Sequence, residues 1–222
     1  MQIYKPEYKL APGSPGNLKS DPGIGDTTIG SVTNQSVIDA QNDVNSDIVG
    51  WLTIPNTKVD YLFVQAGTNE FYLHKDLNKK QAAAGSVFMD SANSKNFTDF
   101  NTIIYGHNMK NGSMFQSLRS FADDKFFAEN QTGMIFLPHS TYMLRIFAYM
   151  VVNAGDTTIY NISPDPGTVV DGYFEYIRKN AKQFRELDFT GEDKVVTLSS
   201  CSYEYSDARM VLLARLEKTS GS

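Results

Sequence analysis

The sequence is most informative in what it lacks. It has one cysteine in 222 residues, which excludes an internal disulfide framework and any multi-cysteine metal site. Histidine is nearly as scarce, at three residues, and no His/Cys or Glu-x-x-His spacing offers the four ligands of a structural zinc. The longest apolar run, Ile146 to Val152, falls far short of the roughly 20 residues needed to span a bilayer. The N-terminus shows no basic-then-apolar signal segment. With a net charge of −5 and no Lys/Arg cluster, the chain has no positive field for nucleic acid. No internal repeat is present. What remains is ordinary globular composition, 41% hydrophobic and 12% aromatic, sufficient for one good-sized domain or at most two small ones. One free thiol fits a cytosolic protein, and equally an exported one whose thiol is kept for chemistry.

Residues 1–30 hold four of the eight prolines (Pro6, Pro12, Pro15, Pro22) and few apolar residues, so they are expected to form a flexible lead-in. Val37, Ala40, Val44 and Ile48 sit close to one helical face and predict a helix over roughly 35–47, ended by Gly50. Strands are expected at Trp51–Ile54, Val59–Gln65, Gly85–Asp90 and Asn101–Tyr105, with a short helix over Asn69–Leu77. An amphipathic helix follows, marked by Phe115, Leu118, Phe121 and Ala122 and capped by Ser113. A hairpin is expected around Pro138-His139-Ser140, and a helix over 170–183 buries Phe174, Ile177 and Ala181. Two final strands flank a polar loop. The sum is a mostly β (β plus α) domain, a single sheet or barrel decorated with helices.

The chemistry concentrates at the last two strands. Cys201 ends the β-branched run Val195-Val196-Thr197-Leu198-Ser199-Ser200, and Arg209 opens the next, Met210 to Leu216. Paired as an antiparallel hairpin, they set thiol and guanidinium side by side. A lone cysteine with a distant histidine is a candidate nucleophile and base, and it is also what a small buried hydrophobe looks like. His107 lies on a loop directly after a strand, in Tyr105-Gly106-His107-Asn108-Met109, a position typical of catalytic groups and of plain surface histidines. His74 and His139 read as surface residues, Asp123-Asp124 as a solvated helix end, and Arg209 alone as an ion-pair partner of Glu204 or Asp207.

Four segments, in order over about 44–217, resemble the class B sortases, the cysteine transpeptidases of Gram-positive cell surfaces. They are Asn45-Ser46-Asp47-Ile48-Val49-Gly50-Trp51-Leu52-Thr53-Ile54-Pro55 with Val59-Asp60-Tyr61, then Gly85-Ser86-Val87-Phe88-Met89-Asp90, then Asn101 through Phe115 with its Gly106-His107-Asn108-Met109 loop, and last Thr197-Leu198-Ser199-Ser200-Cys201 with Arg209. The last matches the family's Thr-Leu-x-x-Cys signature. The resemblance implies an eight-stranded sortase-type β-barrel with an N-terminal helix and a helix inserted before the cysteine strand. The catalytic domain would occupy 31–218, with 219–222 as tail or tag residue.

The same resemblance implies Cys201 as nucleophile, His107 as general acid/base, Arg209 as stabiliser of substrate and oxyanion, and Ser199 as a substrate-binding residue. It implies no cofactor, no calcium or other metal, and no nucleic-acid partner. The implied substrate is a surface protein bearing a C-terminal sorting motif, a pentapeptide containing Thr-Gly or Thr-Asn, cut after Thr through a thioester. The acceptor would be an amine of peptidoglycan or a pilin. The expected location is the extracellular face of the cell membrane, held by an N-terminal transmembrane segment outside these 222 residues. Two other readings fit the residues: a cysteine peptidase in which water resolves the thioester, and a non-catalytic surface β-domain with a structural Cys.

Overall fold

A computed structural model describes residues 32–165, 167–201 and 206–219, with the main chain alone for Cys201 and for 169–171. The lead-in expected over 1–30 and the end of the tail lie outside the described residues, while Thr219 donates its main-chain N–H to Thr141 O at 3.0 Å. The strands are β1 (Ile48–Thr53), β2 (Asp60–Val64), β3 (Val87–Met89), β4 (Asn101–Tyr105), β5 (Thr132–Leu137), β6 (Ser140–Asn153), β7 (Gln183–Phe184), β8 (Val195–Cys201) and β9 (Ala208–Lys218). The α-helices are α1 (Asn34–Asp43), α2 (Asp124–Glu129) and α3 (Glu175–Asn180).

Among the described residues, eight strands close into a barrel in the order β5-β1-β2-β3-β4-β8-β9-β6, with β6 pairing back onto β5. The two-residue β7 adds to the outside of β6 at Ala148 and Tyr149. The barrel interior is filled by Leu52, Phe63, Ile104, Ile135, Leu144, Val196, Leu198 and Leu212, and Phe115, Leu118 and Phe121 join the same cluster from a 3-10 run, Phe115–Ala122.

Both outer faces are also covered. On one, α1 and the segment around Tyr72 bury Ile48, Leu62, Val64 and Phe88. On the other, Tyr173, Phe174 and Ile177 cover Phe147, Val195, Val211 and Leu213. Strands buried on both faces read as continuous apolar runs rather than alternating ones. That is the origin of the Ile146–Val152 run, which lies within β6.

Several elements differ from expectation for local reasons. The first helix stops at Asp43, with Thr33 capping its start. Asn45 then accepts a hydrogen bond from the Asp47 N–H and gives its amide to Leu77 O, ending the helical pattern before Gly50. Gly50 lies inside β1, where a Cβ would sit 2.6 Å from Phe136 O and 2.7 Å from Phe63 Cζ. The expected helix over Asn69–Leu77 is a series of turns. Carbonyls of that stretch are taken elsewhere, Tyr72 O accepting from Ser86 N–H, His74 O from Ala82 N–H and Leu77 O from the Asn45 amide.

Ser113 does not cap the Phe115–Ala122 run. Its hydroxyl donates to Asn111 Oδ1 at 2.6 Å, and Met114 precedes the run at φ 57°. Asp123, read as a solvated end, caps the unanticipated α2. The inserted helix begins as a π-helical turn (Val169–Phe174), continues as α3, and ends early because Gln183 and Phe184 join the sheet.

Gly50→Ala is expected to destabilise the fold by about 1–3 kcal/mol through overpacking. Urea unfolding should show a lower midpoint with an unchanged slope.

Candidate active site

β8 runs parallel to β4, from Asn101↔Val195 to Tyr105↔Ser199, and antiparallel to β9, from Val195↔Arg215 to Cys201↔Arg209. Asn101 pegs this register: fully buried, it donates to Ile159 O at 2.8 Å and accepts from the Thr197 hydroxyl at 2.8 Å. The parallel ladder extends one step further, Gly106 N–H donating to Ser199 O at 3.1 Å. His107 and Cys201 each lie two residues beyond the Tyr105–Ser199 pair, so both follow at the same end of neighbouring strands. Arg209 is the direct partner of Cys201 across the other edge. The topology thus brings Cys201, His107 and Arg209 to one end of three adjacent strands. His139, in the β5–β6 turn, belongs to a different part of the barrel.

The His107 main chain is held from both sides. Its carbonyl accepts from Phe115 N–H at 3.0 Å, and Gly106 lets the Phe115 ring lie where a Cβ would be 2.7 Å from Cγ. The half-buried imidazole contacts Leu73 O through Nε2 at 2.7 Å. His74 comes next to it, the ring centroids 6.1 Å apart. Arg209 is half-buried and donates from Nη1 to Ala208 O at 3.1 Å. Among the described residues Arg209 forms no ion pair, Asp207 included; Glu204 lies outside the described residues.

A polar wall continues from these strands. Tyr105 donates its hydroxyl to Asp90 Oδ2 at 2.9 Å, and Asn69 donates to the same oxygen at 2.9 Å. Burial, and then the Asp90 charge, push the Tyr105 phenol well above its ordinary value, with Arg209 partly opposing them. The Tyr105 and Tyr160 rings stack at 6.5 Å. Ser199, 1% exposed, bonds through Oγ to the Tyr160 hydroxyl at 2.8 Å, so it lies beneath Tyr160.

The loop carrying Tyr160 is braced by Asp156, which accepts from the N–H groups of Thr158 and Ile159 and from the Tyr176 hydroxyl at 2.6 Å. Tyr176 belongs to α3, so the inserted helix fixes this wall. An open cavity of about 420 Å³ lies along the same loop, between 154 and 163. Among the described residues no group of three or more His, Cys, Asp or Glu is placed to hold a metal ion, and no helix is long and apolar enough to cross a membrane.

Sequence reading missed Asp90, Asn69, Tyr160 and the Leu73 carbonyl. Asp90 and Tyr105 lie within quoted motif segments, a signal that could have paired them. Nothing in a sequence marks a main-chain carbonyl.

Comparison with known proteins agrees with this fold. Residues 52–217 match the sortase domain family. The Listeria monocytogenes sortase B is 38% identical over 177 residues, covering 78% of this chain and 71% of that protein. Among solved structures, Clostridium perfringens sortase B superposes with a TM-score of 0.75 at 30% identity, covering 81% of this chain and 98% of that one. A Staphylococcus aureus sortase B–substrate complex, 24% identical, shares the fold with a TM-score of 0.78 over 86% and 88% of the two chains. The closed eight-stranded barrel and these matches together define a sortase-type cysteine transpeptidase. The chain belongs to the sortase family, in its class B branch. Members of this family are associated with the cell surface of Gram-positive bacteria.

A phenol held above the ordinary 10.0 contributes stability that is complete below that pH and declines as pH rises past it, because the unfolded chain gives up its proton first. The melting temperature should therefore fall above about pH 10, and fall less steeply in Tyr105→Phe. An identical decline in the two proteins would show that the Tyr105 phenol is not so protected.

Proposed function

We propose that this sortase cleaves a C-terminal sorting motif after Thr through a Cys201 thioester and transfers the surface protein to an amine of peptidoglycan or a pilin. The observation that supports this reading is the register across β4, β8 and β9, which makes Arg209 the direct partner of Cys201 and lays the strand leading to His107 alongside the cysteine strand. On the same reading the enzyme sits at the extracellular face of the membrane, anchored by a segment preceding the sequence, and needs no metal or cofactor.

The steps follow from what each group does best. An unperturbed thiol, with a pKa of about 8.5, is mostly protonated at neutral pH, and a neighbouring cation favours the nucleophilic thiolate. Arg209 supplies that charge, as does His107 when protonated. The thiolate attacks the Thr carbonyl, and the new S–C bond leaves negative charge on oxygen, which the Arg209 guanidinium receives. The C–N bond then breaks as His107 gives its proton to the departing nitrogen, leaving the thioester and a free C-terminal fragment. An incoming amine attacks the thioester and hands a proton back to His107. The amide forms, the S–C bond breaks, and the thiolate is restored. Ser199 reaches substrate through Tyr160, whose loop and cavity supply one wall of the peptide groove.

With a sorting-motif peptide, aminolysis product should rise with added amine; hydrolysis that ignores the amine would make the enzyme a peptidase. Cys201→Ala should abolish the acyl-enzyme seen by intact mass. Arg209→Lys keeps charge and loses the planar donor fork, so kcat should fall on the order of 10²-fold. Turnover near that of the wild type would remove Arg209 from its proposed role.

A further inference from the structure

We infer that the main-chain carbonyl of Leu73 is the positioning group for the His107 imidazole, filling the place a carboxylate holds in a Ser-His-Asp triad. The inference rests on the reading of His107 as general acid/base. A carbonyl oxygen can only accept, so the 2.7 Å contact places the hydrogen on His107 Nε2. That choice leaves Nδ1 as the nitrogen that takes up and releases a proton. Because the imidazolium also carries hydrogen on Nε2, the contact persists in both protonation states and holds the ring still while Nδ1 cycles. Among the described residues, no carboxylate is hydrogen-bonded to His107.

The carbonyl is held in place by the fold. Tyr72 O accepts from Ser86 N–H at 3.0 Å and His74 O accepts from Ala82 N–H at 2.9 Å, so the peptides on either side of the one carrying Leu73 O are tied to the segment that leads into β3. Tyr72, 1% exposed, anchors the segment further through its hydroxyl, 2.7 Å from Asp47 Oδ2. Gly85 makes the approach possible: its φ is +53°, and a Cβ there would lie 2.4 Å from Leu73 O and 2.8 Å from Tyr72 O. Any side chain at 85 therefore drives the Leu73 carbonyl away from its present position. The exposed His74 ring, 6.1 Å from that of His107 and tilted by 30°, flanks the imidazole. An uncharged acceptor also orients the ring without setting a second negative charge beside a thiolate, which a carboxylate would do.

The test reads the ring directly. Long-range proton–nitrogen NMR on the wild-type protein, above the pH where the imidazole titrates, should show His107 with hydrogen on Nε2. In Gly85→Ala, folding is checked by melting temperature and peptide turnover is measured. There kcat should fall about 10- to 100-fold, the cost of a misplaced catalytic group. KM should stay within about twofold, and the His107 signal should become a mixture of tautomers. Hydrogen on Nδ1 in the wild type would overturn the inference, as would a folded Gly85→Ala with undiminished kcat. If Gly85→Ala does not fold, the wild-type tautomer decides alone. His107→Ala separates the two levels of argument: full activity there sinks the acid/base reading itself, whereas lost activity together with an Nδ1-bound hydrogen sinks only the role of Leu73.

Discussion

The structure depends on the hydrogen-bonded register of β8 between a parallel and an antiparallel neighbour. A slip of one residue would turn every side chain of the strand to its opposite face. Val196 and Leu198 would leave the barrel interior, and Val195 would leave the outer cluster with Val211 and Leu213. Two apolar layers therefore resist a slip at once. The buried Thr197–Asn101 hydrogen bond adds a polar reason for one register, since a shifted strand would strand both groups without partners. Asn101 also donates to Ile159 O, so the same peg that fixes the strand holds the loop at the residue before Tyr160.

The two outer layers hold opposite walls of the site. On one side, α1 and the turns around Tyr72 cover the barrel and present Leu73 to His107. On the other, α3 reaches through Tyr176 to Asp156 and so to the Tyr160 loop over Ser199. Neither layer contributes one of the three candidate catalytic side chains. Each determines how a strand-borne group meets its surroundings, and each does so from segments that pack as hydrophobic covers first.

Much of this was legible in the sequence wherever one residue's chemistry decides the outcome. Asn101–Tyr105 was expected as a strand with the bounds it has, because a β-branched run stopped by Gly106 has few other solutions. The pairing of Cys201 with Arg209 followed from two apolar runs joined by a short polar loop. The misreadings fall where side chains compete with the main chain. Asn69–Leu77 has helical spacing, yet the Asn45 amide takes Leu77 O, and Tyr72 O and His74 O accept from Ser86 and Ala82 further along the chain. Ser113 is a good capping residue that found Asn111 instead. Gly50 looked like a stop signal and is a point of close approach between β1 and its neighbours. Within the site, Asp90 and Tyr105 are far apart in the chain and meet only once β3 and β4 pair.

The strand order carries a consequence for how the protein comes into being. The hairpins β1–β2 and β5–β6 join near neighbours in sequence and can form early. β4 must wait for β8, and the barrel remains open until β9 enters between β8 and β6. Pairings this distant in sequence form slowly. Until the end of the chain arrives, the free edges of β4 and β6 are open to other strands, the form of exposure that invites aggregation. The neighbours Cys201 and Arg209 are delivered by those same last two strands. Pairing of these two candidate site residues and closure of the barrel thus fall in one late event.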